Sequence, residues 1–262
     1  MIFLLELIPK IEMPTMKLRL LTFFQITLLS AISVLFLGNS VLSANPADPQ
    51  KNRIPEGFDL VYQQEFDSDS SLKQFQFSDW SAWRWTTEGK SGGALELFQQ
   101  SNYKPENRSP FNLAIVSDLK LGDLVLELDM KQTGKEYGHR DMCLFFGFQN
   151  PEQFYYTHLA TAPDRNAHNI FLVNGAPRAS FVEVPKSGVN WGDSWKHIRL
   201  ERIGTAIQIY FEEMTLPVLQ GQHDAFASGY IGFGSFDDTG CVDNVRVWAK
   251  SKESTPKVFF SR

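Results

Sequence analysis

From residue 58 to residue 249 the chain alternates apolar and polar positions in short bursts, and no stretch shows the three-to-four-residue spacing of a long helical stripe. Leu124, Leu126, Leu128 and Met130 point one way, and Glu127, Asp129 and Lys131 the other. A period of two with one apolar face predicts a half-buried strand. Residues 142–148 are apolar on both faces, which predicts a central strand. Similar bursts predict strands at 60–66, 83–87, 94–99, 111–117, 154–160, 169–173, 229–236 and 242–249. Residues 195–203 and 206–211 meet at Ile203-Gly204-Thr205, a tight-turn signal. Many short strands separated by turns predict an all-β sandwich or jelly roll.

The N-terminus has a different pattern. From Met16 the order is Met-Lys-Leu-Arg, then an apolar run over 20–37, then the small residues Gly38, Ser40, Ser43 and Ala44. Basic, apolar and small in that order predicts a secretory signal peptide over 1–44. Met16 offers a second start, which would make 1–15 an extension. Gln25, Thr27, Ser30 and Ser33 dilute the apolar run, which argues against a retained membrane span. The expected organisation is signal peptide 1–44, lead-in 45–57, sandwich 58–249 and a loose polar tail 250–262. The expected location is secreted or periplasmic, with no stable membrane insertion after cleavage.

Composition narrows the partners. The whole chain carries a net charge of −5, and residues 1–44 hold one more basic than acidic residue. The remainder is therefore more acidic, with no basic stripe to neutralise phosphates, so nucleic acid is not an expected partner. Aromatics at 13% suit a sheet-rich core or a sugar-stacking surface. Cys143 and Cys241 are the two cysteines; export permits a disulfide, and strand burial equally permits two free thiols.

Trp195-Lys-His-Ile-Arg-Leu-Glu-Arg202 followed by Ile207-Gln-Ile-Tyr-Phe211 resembles the paired strands of laminin-G-like and other concanavalin A-like jelly rolls. Gly229-Tyr-Ile-Gly-Phe-Gly-Ser-Phe236 with Val242-Asp-Asn-Val-Arg-Val247 resembles their closing hairpin. The resemblance covers 191–248 and implies a concanavalin A-like β-sandwich. That superfamily holds lectins, carbohydrate-binding modules, β-glucanases, polysaccharide lyases and exported 3-keto-disaccharide hydrolase-like domains. Fold alone does not choose among them.

Three constellations carry candidate chemistry. Family-sixteen β-glucanases use Glu-x-Asp-x-x-Glu, and Glu127-Leu-Asp129-Met-Lys-Gln132 matches two of its three acids. Gln132 can neither give nor take the proton, which disfavours that mechanism. His139-Arg140-Asp141, Tyr156-Thr-His158 and Asp164-Arg165-Asn-Ala-His168-Asn169 gather ionisable groups on adjacent strands and a loop. His158, Arg165, His168 and Asn169 are therefore candidate glycan contacts, with Trp191 in a glycine-bearing loop as a stacking platform. As an enzyme, the chain would use His158 or His168 with Asp141 or Glu127. Counting by twos, Asp243 falls among Cys241, Val245 and Val247, where a carboxylate needs a partner. Related jelly rolls hold a structural calcium where first and last strands meet, so Glu65 and Asp67 could join Asp243 around one; backbone amides or an arginine are the alternative.

The function expected is glycan binding, of a polysaccharide, with no cofactor required and a structural calcium as one option. The alternatives are a glycoside hydrolase or polysaccharide lyase on the same fold, or a structural or protein-binding module.

Overall fold

A computed structural model describes residues 53–260. The expected signal peptide, the start of the lead-in and the last two residues of the tail lie outside the described residues. Fifteen strands form among those described: β1 (Asp59–Gln64), β2 (Phe75–Phe77), β3 (Trp83–Thr86), β4 (Ala94–Leu97) and β5 (Asn112–Leu121). Then come β6 (Leu124–Gln132), β7 (Asp141–Asn150), β8 (Gln153–Ala160), β9 (Asn169–Asn174) and β10 (Ala179–Ser180). The last five are β11 (Lys196–Ile203), β12 (Ala206–Phe211), β13 (Leu219–Gln222), β14 (Gly229–Ser235) and β15 (Gly240–Ala249).

The strands build two antiparallel sheets. One runs β13-β12-β11-β6-β15-β4-β3, with β1 sharing an edge of β15 with β4; the other runs β10-β9-β8-β7-β14-β5-β2. Three strands that the apolar pattern did not predict, β2, β10 and β13, are all sheet edges. Edge strands need no continuous apolar face, and Leu219-Gln-Gly-Gln222 shows how little remains to detect.

The main core lies between the sheets, where Leu124, Leu126, Leu128 and Met130 of β6 face Met142, Leu144 and Phe146 of β7. Strand β7 is buried on its other side too, as its double apolar pattern predicts. Cys143, Phe145 and Phe148 join Tyr156, Phe171 and Tyr230 in a second cluster on the outward face. The tail expected to be loose covers part of that cluster. Phe259 packs against Phe148 and Tyr230, Phe260 against Tyr103, and the Tyr230 hydroxyl donates to the Thr255 carbonyl at 2.5 Å. Two aromatic side chains late in a polar sequence dock it, together with backbone bonds from Glu253 to Lys120 and from Lys257 to Ser117.

Strand β15 corrects the reading of Asp243. Its pairing with β6 shifts register between Asp243 and Arg246, and Asn244 takes the left-handed conformation at φ 52°. This bulge inserts one residue and resets the alternation. Val242, Val245 and Val247 therefore share the core face, and Asp243 points outward beside the loop at Lys90 and Ser91.

Candidate functional site

Strand register brings the polar groups of the second sheet together. Cys143 of β7 pairs with His158 of β8, and His158 pairs with Asn169 of β9. Side chains two residues apart along a strand share a face, so Asp141 and Cys143 lie beside His158 and Tyr156 on the outward side. Loops from five other places close over this end of the sheet. Together they form a cleft of about 150 Å³ lined by Arg108, Tyr137, His139, His158, Asn166, Arg178, Phe236 and Asp237.

Arg178 is the best-anchored cation in the cleft. Its guanidinium lies over the rings of Phe171 at 4.7 Å and Phe236 at 4.4 Å. It donates to the Tyr156 hydroxyl at 2.7 Å and to the Asn166 carbonyl at 2.8 Å. Arg108 lies over the same Phe236 ring at 5.5 Å. Among the described residues neither arginine forms an ion pair, whereas His139 is held by Asp164 at 2.8 Å.

His158 is nearly buried, and its Nδ1 accepts the His168 backbone N–H at 3.4 Å. That bond places the proton of the neutral ring on Nε2, which lies 3.8 Å from an Asp141 oxygen. Burial, then the positive charges of Arg178, His139 and His168, lower the His158 pKa to about 3. At neutral pH the ring is therefore an uncharged donor.

Asp141 is fully buried beneath it and receives hydrogen bonds from the Ser235 hydroxyl, the Phe236 amide and the Cys143 thiol. Burial raises its pKa well above the carboxylate range, and the neighbouring Asp238 adds to the effect. Burial and Asp141 likewise push the Cys143 thiol up, which keeps it protonated and a poor nucleophile. Oxygens of Asp141, Asp237 and Asp238 lie within 4.8 Å of one another, the one such acidic group among the described residues. Hydrogen bonds from Tyr137 and the Asp141 amide already reach Asp238.

Several expected site residues fall elsewhere. Trp191 is fully buried, donates to the Leu159 carbonyl at 2.8 Å and meets Phe211 edge-on; it is core, not a sugar platform. Asn169 is buried, with its amide oxygen taken by Ser180 and the Ile170 N–H. His168 is buried behind His158 at a positive φ of 51°, and neither ring nitrogen has a partner. Arg165 is exposed but does not line the cleft. Glu127 lies on the other sheet, bound to Arg199 at 2.5 Å, so no acid–base pair with His158 or His168 forms there. Asp141 is the acid that joins His158.

The expected calcium ligands do not converge either. Asp243 accepts the backbone N–H groups of Lys90, Ser91 and Asn244; Glu65 pairs with Arg246 at 2.8 Å; and Asp67 is exposed. The backbone-amide alternative is the one the structure contains. Both cysteines are free and buried, on strands of different sheets. Arg108, Arg178 and Tyr137 went unrecognised because each stands in a turn or loop with no periodic signal, and Phe236 because it read as the last residue of a strand that in the structure ends at Ser235. His197 was also missed; it lies 3.2 Å from Asp129 and 3.8 Å from Glu127 on the first sheet.

No family model matches the chain, and no curated protein matches it. Among solved structures it is similar to a carbohydrate-binding module of Bacillus subtilis, at 17% identity and a TM-score of 0.47, covering 69% of this chain and 96% of that one. A Bacillus subtilis protein of unknown function with a galectin-like fold gives 13% identity and 0.49, covering 76% and 100%. Domain 4 of an extracellular arabinanase from Geobacillus stearothermophilus, solved with arabinotriose, gives 13% and 0.45, covering 76% and 95%.

Proposed function

We propose that this chain is an exported glycan-binding protein and that the cleft around His158 and Arg178 is where the sugar sits. The observation that carries the reading is the convergence of side chains from separate segments on one small, open space. Guanidinium and imidazole N–H groups can donate to sugar hydroxyls there, Asp237 can accept, and the Phe236 ring offers an apolar wall to ring C–H groups. A glycan array on purified protein, followed by calorimetry on the hits, tests it. Replacing His158 by Phe removes the Nε2 donor and should weaken binding about tenfold, the loss expected for one unmade hydrogen bond in a desolvated site. Absence of binding to every glycan would refute the reading. Export is tested separately: the protein recovered outside the cytoplasm should begin near Ala44 or Asn45. Among the described residues no helix is long and apolar enough to cross a membrane.

A hydrolase or lyase reading rests on one further observation, the 3.8 Å approach of His158 to a carboxyl that burial keeps protonated. Such a pair can hold and pass a proton. If it does so, wild type should release sugar, and a folded Asp141→Asn variant should lose that activity by about 10²–10⁴-fold. Tight binding without product over a broad pH range would remove this reading.

A further inference from the structure

Arg84, Arg140, Arg199 and Arg246 each meet a carboxylate, at Glu96, Glu136, Glu127 and Glu65 respectively. Arg108 and Arg178 do not; both guanidiniums lie instead over the ring of Phe236. Two like charges sharing one ring repel each other, and the ring face offsets only part of that repulsion. Arg178 has spent two of its five N–H groups on Tyr156 and Asn166, which fixes its plane and leaves the rest free. A guanidinium held in that way is pre-organised for an oxyanion, which it can receive through two parallel hydrogen bonds.

The acids nearby weaken this demand without meeting it. Asp164 is engaged by His139, and Asp238 accepts from Tyr137 and the Asp141 amide. Asp141 lies buried beneath the cleft. Asp237 alone among the cleft-lining residues is a carboxylate, against two arginines. The free space of about 150 Å³ equals roughly five liquid waters, the scale of a single sugar ring with its substituents.

We infer that the cleft takes an acidic sugar, with the uronate carboxylate or sugar sulfate placed between Arg108 and Arg178 and the His158 Nε2–H donating to a hydroxyl. This rests on the glycan-binding reading and names the class of sugar. Neutral hydroxyls alone would leave both guanidiniums without a counter-charge.

The test measures binding of the full-length protein to matched pairs of oligosaccharides. Uronate oligosaccharides of several linkages are each compared with the same chain after reduction of its carboxylates to alcohols. Sulfated oligosaccharides are compared with their desulfated forms. At least one acidic member should bind about ten- to a hundredfold more tightly than its neutral partner, the range a charge-assisted hydrogen bond supplies. That preference should shrink as salt is raised. It should fall in Arg108→Ala, where the side chain is exposed and folding is not at risk, and in Arg178→Lys, which keeps the charge but loses the fork. Which pair shows the preference decides between carboxylate and sulfate. Equal binding of acidic and neutral partners would overturn the inference and leave glycan binding standing. Binding to none of them would overturn the inference, and glycan binding as well if no member of the glycan array binds either.

Discussion

On the outward face of the first sheet Glu127 meets Arg199 at 2.5 Å, and Asp129 meets Lys90 at 2.8 Å and His197 at 3.2 Å. On the outward face of the second sheet Arg108 and Arg178 meet aromatic rings, and His158 stands over a buried acid. Both faces are rich in ionisable groups. The first spends them on one another: β6, β11 and β15 align opposite charges across strands, and burial of the Asp129 carboxyl is outweighed by hydrogen bonds from His197, Lys90 and Asn244, which lower its pKa. The second pairs His139 with Asp164 but leaves the guanidiniums of Arg108 and Arg178 without a carboxylate. Charge that is paired internally stabilises a fold, whereas charge left unpaired in a cleft is available to a ligand.

The largest expected effect separates the two faces. Arg199 is 1% exposed and bonds Glu127, Glu201 and the Arg53 carbonyl. Arg199→Ala strands a buried carboxylate and should cost about 3–5 kcal/mol of stability by urea denaturation. Glycan affinity of the surviving folded fraction should not change. Arg108→Ala should behave in reverse, with stability within about 0.5 kcal/mol of wild type and weakened binding. If both variants altered only stability, the second face would be as purely structural as the first.

A smaller effect sharpens the comparison through pH. The folded-state pKa values of His158 and His168, about 3 and about 4, lie below the ordinary histidine value. Unfolding therefore takes up protons, and the stability tied to these rings falls as pH drops from about 6.5 towards those values. In His158→Gln one such term is gone, so the stability gap between wild type and variant should narrow on acidification by up to about 1.4 kcal/mol per pH unit. Asp141 carries the opposite sign. Its raised pKa means that stability is lost as pH rises from the usual carboxylate range to about 8, and Asp141→Asn should remove that decline. A gap for His158→Gln that is constant from pH 7 to 4 would mean the ring is not held neutral.

The smallest effect belongs to a partly exposed pair on the first sheet. Glu65 and Arg246 are 2.8 Å apart, and Arg246→Ala should change stability by less than about 1 kcal/mol. The melting temperature should be the same with calcium and with a chelator, since Arg246 occupies Glu65. A calcium-dependent increase that Glu65→Gln abolishes would return Glu65 to the set of metal ligands, whereas one that Glu65→Gln leaves intact would point to Asp141, Asp237 and Asp238.

Much of the fold was legible because period two reports which side chains face the core. Strand β6 occurs where its alternation places it, yet it is buried on both faces rather than half-buried as period two predicts, because pairing to Arg199, Lys90 and His197 covers Glu127 and Asp129. Strand β7 is apolar and buried on both sides as expected. The failures have physical causes. The bulge at Asn244 adds one residue to β15 and reverses which face Asp243 shares, and a count by twos cannot see it. Trp191 stands in a polar loop, yet its indole turns inward because one carbonyl, that of Leu159, satisfies its N–H. The edge strands lack the apolar face that makes a strand visible in a sequence.

The candidate site divides along the same line. His158 and Asp141 were legible as ionisable residues set in apolar strands, where such groups are conspicuous. Sequence by itself determined that the chain forms short strands, that 142–148 is a central one, and that histidine, arginine and carboxylate cluster in the middle of the chain. These are local facts, set by side-chain alternation and residue type. Only the tertiary structure decided which groups meet. It brought Arg108, from a loop before β5, and Arg178, from the turn after β9, over one ring at the end of β14, and it sent Glu127 to the opposite sheet. Contacts between residues far apart in sequence depend on strand order and register, and no local periodicity encodes them.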